Sequence, residues 1–419
     1  MITAPAPAGS TGSFGRGWRQ LALVTAVSVL AVGLLELTTG LIDVERFTWD
    51  NVRYIRMART WFEPDSMTSP FAYRWGTPLL ARIASDAAQI SLTSAFRVIA
   101  WVGAVLQLVS AYYLVRVLCR SVKAAWAGWA AVLLSVWNVR FLMFDPFRPD
   151  HLAYPVVILA SLAAARRRWG ALVVLTLIGA PFREFTVLPL LAVIAVMIVG
   201  RDWRALARWG LPFLVTLVLA VVAPRVLIET VESRQTVDFG TFVPDMLRLL
   251  GYWQRHINIV LGYASYAVPV LMLFSTSRFA AFWGGLERDF RRYLIAYSIG
   301  VFALVFMGGT DIHRFVTFMV VPLALVVGGL AVSATTAELV VAGVGMIWFN
   351  RLAEPIPDRV IDEYKDFWGG WSGRINEATV GRFLGVIACV GAGQLTRLWT
   401  RNGRGDRVTE PARQPGQTD

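Results

Sequence analysis

Apolar runs of about 15 to 25 residues recur from one end of the chain to the other, broken by short polar interruptions. In order they are Leu21–Ile42, Ala95–Leu118, Ala124–Val139, His151–Ala165, Gly170–Ala180, Phe185–Gly200, Trp209–Leu227, Asn258–Phe274, Tyr293–Met307, Phe315–Val332, Leu339–Trp348 and Gly381–Gln394. Lipid offers the backbone no hydrogen-bond partner, so long apolar runs predict spanning helices, whose backbone bonds are internal. The expectation is an all-α polytopic integral membrane protein with about 12 transmembrane helices, 10 to 13 being defensible. The first run is too long for a signal peptide and is kept as a span.

Arginine placement orients these runs. Arg16 and Arg19 precede the first span, and further Arg clusters follow alternate turns: Arg166 to Arg168, Arg201 to Arg208, Arg288 to Arg292, and Arg397 onward. Under the positive-inside rule both termini are cytoplasmic, in a bacterial plasma membrane. Outer loops then fall at about 43–94, 228–257 and 350–380. The transmembrane domain covers 18–396, between a disordered tail at 1–17 and a disordered basic cytoplasmic tail at 397–419.

Composition sharpens this picture at two points. The chain is 56% hydrophobic, with mean hydropathy +0.56, which excludes an ordinary soluble enzyme. The net charge of +12 suggests nucleic acid, but the basic residues sit at span ends, so no nucleic-acid partner is expected. Cys119 and Cys389 lie far apart in or beside apolar runs, which implies no disulfide framework.

Two hairpins are too short to clear the membrane. Ala124–Asp150–Ala165 and Gly170–Arg183–Gly200 each start and end at inner Arg clusters. Their turns must therefore sit near or below the outer surface, where bare charge is costly. The first turn carries Asp145, Arg148, Asp150 and His151, with Pro146 and Pro149 breaking the helix. Asp145 and Asp150 are oxygen donors suited to Mg²⁺ or Mn²⁺, or Asp150 caps the helix that begins at His151. The second turn carries Arg183 and Glu184. The guanidinium fork suits phosphate oxygens, with Glu184 orienting it. A third outer turn, Gly308-Gly309-Thr310-Asp311-Ile312-His313-Arg314, offers Asp311, His313 and Arg314, or a helix start capped by Thr310 or Asp311. Glu36, near the outer end of the first span, is either an intramembrane site or an interfacial carboxylate.

The first outer loop holds the strongest pattern. Asp50 is followed four residues later by Tyr54, so a helix from Asp50 stacks the carboxylate and the phenol on one face. The cluster Tyr73-Arg74-Trp75-Gly76-Thr77-Pro78 comes some twenty residues on. An N-capped amphipathic helix on the membrane surface would account for Asp50 equally well. Asp50, Tyr54, Ala58, Tyr73, Arg74 and Pro78 together resemble the first extracytoplasmic loop of the GT-C superfamily, polytopic glycosyltransferases of mannosyltransferase-like type. The resemblance implies a polyprenyl-phosphate-linked sugar donor, a glycan, lipid or protein acceptor, Asp50 as catalytic base, and the outer Arg residues as phosphate contacts. Acidic residues in the second outer loop and an Asp-x-x-Arg element before a returning span, here Asp311 to Arg314, belong to the same likeness. Two other classes remain open: a multi-span transporter or flippase, and an outer-leaflet glycan polymerase or ligase. No phosphate-binding Gly-Lys-Ser/Thr loop, Gly-x-Ser-x-Gly or His-Glu-x-x-His occurs.

Overall fold

The computed structural model describes residues 11–42, 50–231, 251–307, 312–353 and 375–405. All the named elements among them are helical. In chain order they are α1 (Thr11–Thr38), α2 (Asp50–Arg59), α3 (Gly76–Ala88), α4 (Leu92–Cys119), α5 (Val122–Leu134), α6 (Phe141–Phe144), α7 (Asp150–Ala165), α8 (Trp169–Gly179), α9 (Leu188–Val199), α10 (Trp203–Leu217) and α11 (Ala223–Leu227). They continue with α12 (Trp253–Tyr266), α13 (Val268–Leu273), α14 (Thr276–Gly285), α15 (Arg288–Met307), α16 (Ile312–Val316), α17 (Val320–Ala331), α18 (Thr336–Trp348) and α19 (Glu377–Gly405). Helix α1 begins inside the expected 1–17 tail, and α19 runs past the expected boundary at 396.

About twelve spans are expected from the sequence. Among the described residues, five helical stretches are long and apolar enough to cross a membrane: Gly17–Thr38, Leu92–Cys119, Trp203–Leu227, Arg314–Ala331 and Glu377–Asn402. A sixth results if Val122–Leu134 and Trp137–Phe144 form one span bent by 49°. For three of the expected spans the physical reason is length. Asp150–Ala165, Trp169–Gly179 and Glu184–Val199 are apolar but short. At 1.5 Å per residue, the sixteen residues of α7 extend about 24 Å, less than the roughly 30 Å of hydrocarbon.

The core is built by close helix contact at small residues. On α5, a Cβ added to Gly128 would lie 2.7 Å from the Ala324 carbonyl oxygen. On α17, a Cβ added to Gly328 would lie 2.9 Å from the Ala124 carbonyl oxygen. The two helices are thus antiparallel, each offering Ala-x-x-x-Gly (Ala124 with Gly128, Ala324 with Gly328) to the other's backbone. Lipid is as apolar as a leucine side chain, so packing of this kind rather than hydrophobic burial holds helices together in a bilayer. Helix α4 meets α7 similarly: a Cβ on Gly103 would lie 2.6 Å from the His151 carbonyl oxygen. That contact fixes the end of α7 that carries Asp150.

The outer loop docks on both short-hairpin turns. The Gly76 amide donates to the Pro181 carbonyl at 2.8 Å, and a Cβ at Gly76 would meet the Phe182 ring at 2.8 Å. Thr77 Oγ1 donates to the Pro149 carbonyl at 3.2 Å. Val231, which follows α11, donates to the Met67 carbonyl at 2.8 Å and accepts from the Ser69 amide at 3.3 Å. The segment around Thr68 is thereby tied to the chain just after α11.

Two outcomes follow from this packing. Gly128→Val or Gly328→Val should cost about 1–3 kcal/mol by overpacking, read as a lowered thermal midpoint in detergent, whereas Gly343→Val, where an added Cβ meets nothing within 4 Å, should leave the midpoint near wild type. Reporter fusions after Arg168, Arg208 or Arg292 should read cytoplasmic, and a fusion in the Asp50 loop should read outside. An inward Asp50 loop would refute the orientation.

Candidate active site

Helix α2 forms where the sequence predicts it, and its inward face carries Asn51, Tyr54, Met57 and Ala58 at helical spacing. Asp50 stands at its first position, and its Oδ2 faces Arg148 Nη1 at 3.3 Å and Arg314 Nη1 at 3.6 Å. Arg148 in turn donates from Nε to Asp145 Oδ2 at 2.6 Å. The turn between α6 and α7 therefore supplies an acid and a base to each other, and the base reaches on to Asp50.

Asp150 is the centre of a second knot. Arg314 Nη2 donates to Asp150 Oδ2 at 2.6 Å, and Arg314 Nε reaches the same oxygen at 3.2 Å. Arg183 Nη1 lies 3.1 Å from the other oxygen, Oδ1. The carboxylate is held by two guanidiniums; it does not cap its own helix, whose preceding residue, Pro149, has no side-chain cap bond. The Arg183 guanidinium also lies over the rings of Phe185 (4.9 Å) and Phe315 (5.6 Å). Its Nε makes no hydrogen bond among the described residues.

Glu184 does not orient Arg183, as the sequence led us to expect. It pairs with Arg74 instead, in a bidentate contact of 2.9 Å (Nε to Oε2) and 2.6 Å (Nη2 to Oε1). The reason is local geometry: Gly76 docks on Pro181, which brings Arg74 of the outer loop over the turn. Arg74 Nη1 also donates to Tyr54 Oη at 3.4 Å. Burial works against the Arg74 charge, but Glu184 outweighs it and holds this pKa well above the ordinary guanidinium value. Burial pushes the Tyr54 phenol above its usual pKa, so it remains a neutral hydroxyl.

Four carboxylates (Asp50, Asp145, Asp150, Glu184) thus meet four guanidiniums (Arg74, Arg148, Arg183, Arg314), and the formal charges cancel. Their exposure is graded. Asp145, Arg148, Asp150, Arg183 and Arg314 have side chains at 3% or less, Arg74 and Glu184 reach 12% and 18%, and Asp50 reaches 25%. Asp50 is the carboxylate of the set that faces outward.

Of the other expected site residues, Tyr73 lies outside the network, its ring under the Arg225 guanidinium at 5.1 Å. Asp311 falls outside the described residues, as does the side chain of His313. His151, beside the site, turns its Nε2 to the Pro146 carbonyl at 2.7 Å and so fastens the turn. As arranged, Asp145 and Asp150 do not fit a divalent cation: each faces guanidinium, and among the described residues no three His, Cys, Asp or Glu side chains converge as metal ligands. Glu36 pairs with Arg97 of α4 at 2.5 Å, away from this cluster. Arg255 carries no sequence pattern that marks it. It is buried and donates to the Val305 and Phe306 carbonyls at the end of α15, the usual place for a cation at a helix C-terminus.

The pairing scheme separates two roles. Removing the charge of Asp150 leaves both Arg183 and Arg314 buried without their main partner, a loss that typically costs about 3–5 kcal/mol. Asp150→Asn should therefore lower the thermal midpoint sharply or abolish accumulation, whereas Asp50→Asn, at the open edge, should accumulate near wild type. Equal stability of the two variants would contradict this division.

No protein-family model matches the chain, and no curated protein matches it either. Among solved structures it is similar to the crystal structure of ArnT from Cupriavidus metallidurans in the apo state, with 14% identity over 91% of this chain and 78% of that one, at a TM-score of 0.49. A likeness at that level decides neither fold nor chemistry.

Proposed function

We propose that the chain is an integral membrane glycosyltransferase of the GT-C kind, moving a sugar from a polyprenyl-phosphate donor to an acceptor hydroxyl on the extracytoplasmic face. The observation that carries the reading is the graded burial of the charge cluster. Seven of its eight members are committed to buried or half-buried pairs, and Asp50 alone combines a loose contact to guanidinium with substantial exposure. Such an arrangement suits a general base, which must stay ionised and reachable.

In this reading the acceptor oxygen attacks the anomeric carbon and its proton passes to Asp50. The bond between that carbon and the phosphate oxygen breaks, and the polyprenyl phosphate leaves with the electron pair. Guanidiniums behind Asp50 meet the developing charge. Arg183 is the best placed, because its Nε has no hydrogen-bond partner among the described residues. Tyr54, Arg74 and Glu184 hold the rim of the site. Arg148 faces Asp50 at 3.3 Å and fixes its position. Transport of a lipid-linked substrate is the reading it competes with.

The test is direct. Purified wild-type protein should consume a polyprenyl-phosphate sugar in the presence of acceptor, and Asp50→Asn should lower the rate by about 10²- to 10⁴-fold, the usual worth of a general base. Expression and thermal midpoint should stay close to wild type. Transfer at the wild-type rate by Asp50→Asn would remove the central residue of this reading, and net movement of an intact lipid-linked substrate without transfer would favour transport.

A further inference from the structure

The three consecutive arginines Arg166, Arg167 and Arg168 join α7 to α8 at the end of α7 remote from Asp150. They do not point the same way. Arg167 adopts φ 52°, a left-handed conformation uncommon for a residue with a side chain. Its guanidinium turns to one side, where it meets Glu287 at 2.6 Å and Asp289 at 2.9 Å. Arg166 and Arg168 turn to the other side. Both are exposed, and neither guanidinium has a protein partner among the described residues.

Those two side chains stand at the rim of a groove of about 310 Å³ whose walls are otherwise apolar: Val117 from α4, Leu159, Leu162 and Ala163 from α7, and Ala171 and Leu175 from α8. This volume lies at the lower end of the range for small-molecule sites. Unpaired cations above an apolar channel, at the end of a membrane helix, have one complementary occupant. It is a lipid with an anionic head and a hydrocarbon tail.

We infer that this groove binds an anionic phospholipid, its phosphate between Arg166 and Arg168 and one acyl chain along α4, α7 and α8. The chemistry is that of basic pockets between membrane helices, which select phosphate-bearing headgroups. Guanidinium serves this purpose well because it is weakly hydrated and forks onto phosphate oxygens. The site is independent of the proposed transfer reaction: it lies about 24 Å along α7 from Asp150, the rise of sixteen helical residues. Ion pairing of Arg167 with Glu287 and Asp289 is what keeps the triplet split.

The experiment is lipid retention by the full-length protein, released from detergent and weighed by native mass spectrometry after mixing with phosphatidylglycerol or phosphatidylcholine. Wild type should retain phosphatidylglycerol in preference. Arg166→Gln together with Arg168→Gln should lower that retention at least about tenfold, since a basic side chain near a membrane surface contributes roughly that order for two residues. Ala171→Trp, which fills the exposed groove wall with both charges intact, should lower it as well. Arg401→Gln, an exposed arginine elsewhere, should change nothing. Retention by the double variant equal to wild type would overturn the proposal, as would an equal loss in Arg401→Gln, which would mean non-specific charge. Displacement by glycerol 3-phosphate as effective as that by short-chain phosphatidylglycerol would also overturn it, because the site would then read phosphate without the acyl chain.

Discussion

The buried ion pair between Asp150 and its two guanidiniums is the constraint from which the half of the molecule carrying the charge cluster is arranged. An isolated carboxylate or guanidinium at that depth would be expensive. Each must find its partner, and the partners come from three separate parts of the chain: the start of α7, the turn before α9, and α16. Once Asp150 is held, the α6–α7 turn is fixed, and Arg148 with it. Arg148 then reaches Asp50 on α2. The outer loop closes the frame through Gly76, Thr77 and Arg74, so that apolar helix packing below and charge pairing above determine one geometry.

Much of this was legible in the sequence, because charge within an apolar run is conspicuous and its cost is calculable. The interruptions at Asp50, Asp145 to Asp150, Arg183–Glu184 and Arg314 could be assigned to one side of a membrane from arginine placement alone, and in the structure they meet. The helix from Asp50 was legible from the four-residue spacing of Asp50 and Tyr54. Which acid pairs with which base was not. Glu184 is next to Arg183 in sequence yet bonds Arg74, 110 residues away. At this turn the two adjacent side chains diverge, and the partner of Glu184 is set by how the loop carrying Arg74 docks. Asp150 reads as a helix cap for the same reason: the local rule is visible, and the two distant arginines that override it are not.

Span number was legible only in outline. Hydropathy marks where the chain is apolar, but helix length is set by where the chain turns, and a turn stabilised by internal ion pairs can lie inside the apolar layer. The Gly128 and Gly328 contact is not legible in the sequence either. Small residues inside apolar runs carry little hydropathy signal, and their use shows only when two helices are seen face to face.

The Arg314–Asp150 contact spans 164 residues, and this has a meaning in time as well as in space. A ribosome adding about 5–20 residues per second needs roughly 8 to 33 seconds to make that length. Once Arg183 has been made, Asp150 exists with its first guanidinium but without its second until Arg314 follows. The nascent amino-terminal half must therefore tolerate a partly compensated carboxylate, sheltered by water, by the insertion machinery or by Arg183 alone. A chain that stalls before Arg314 leaves this buried acid half-matched.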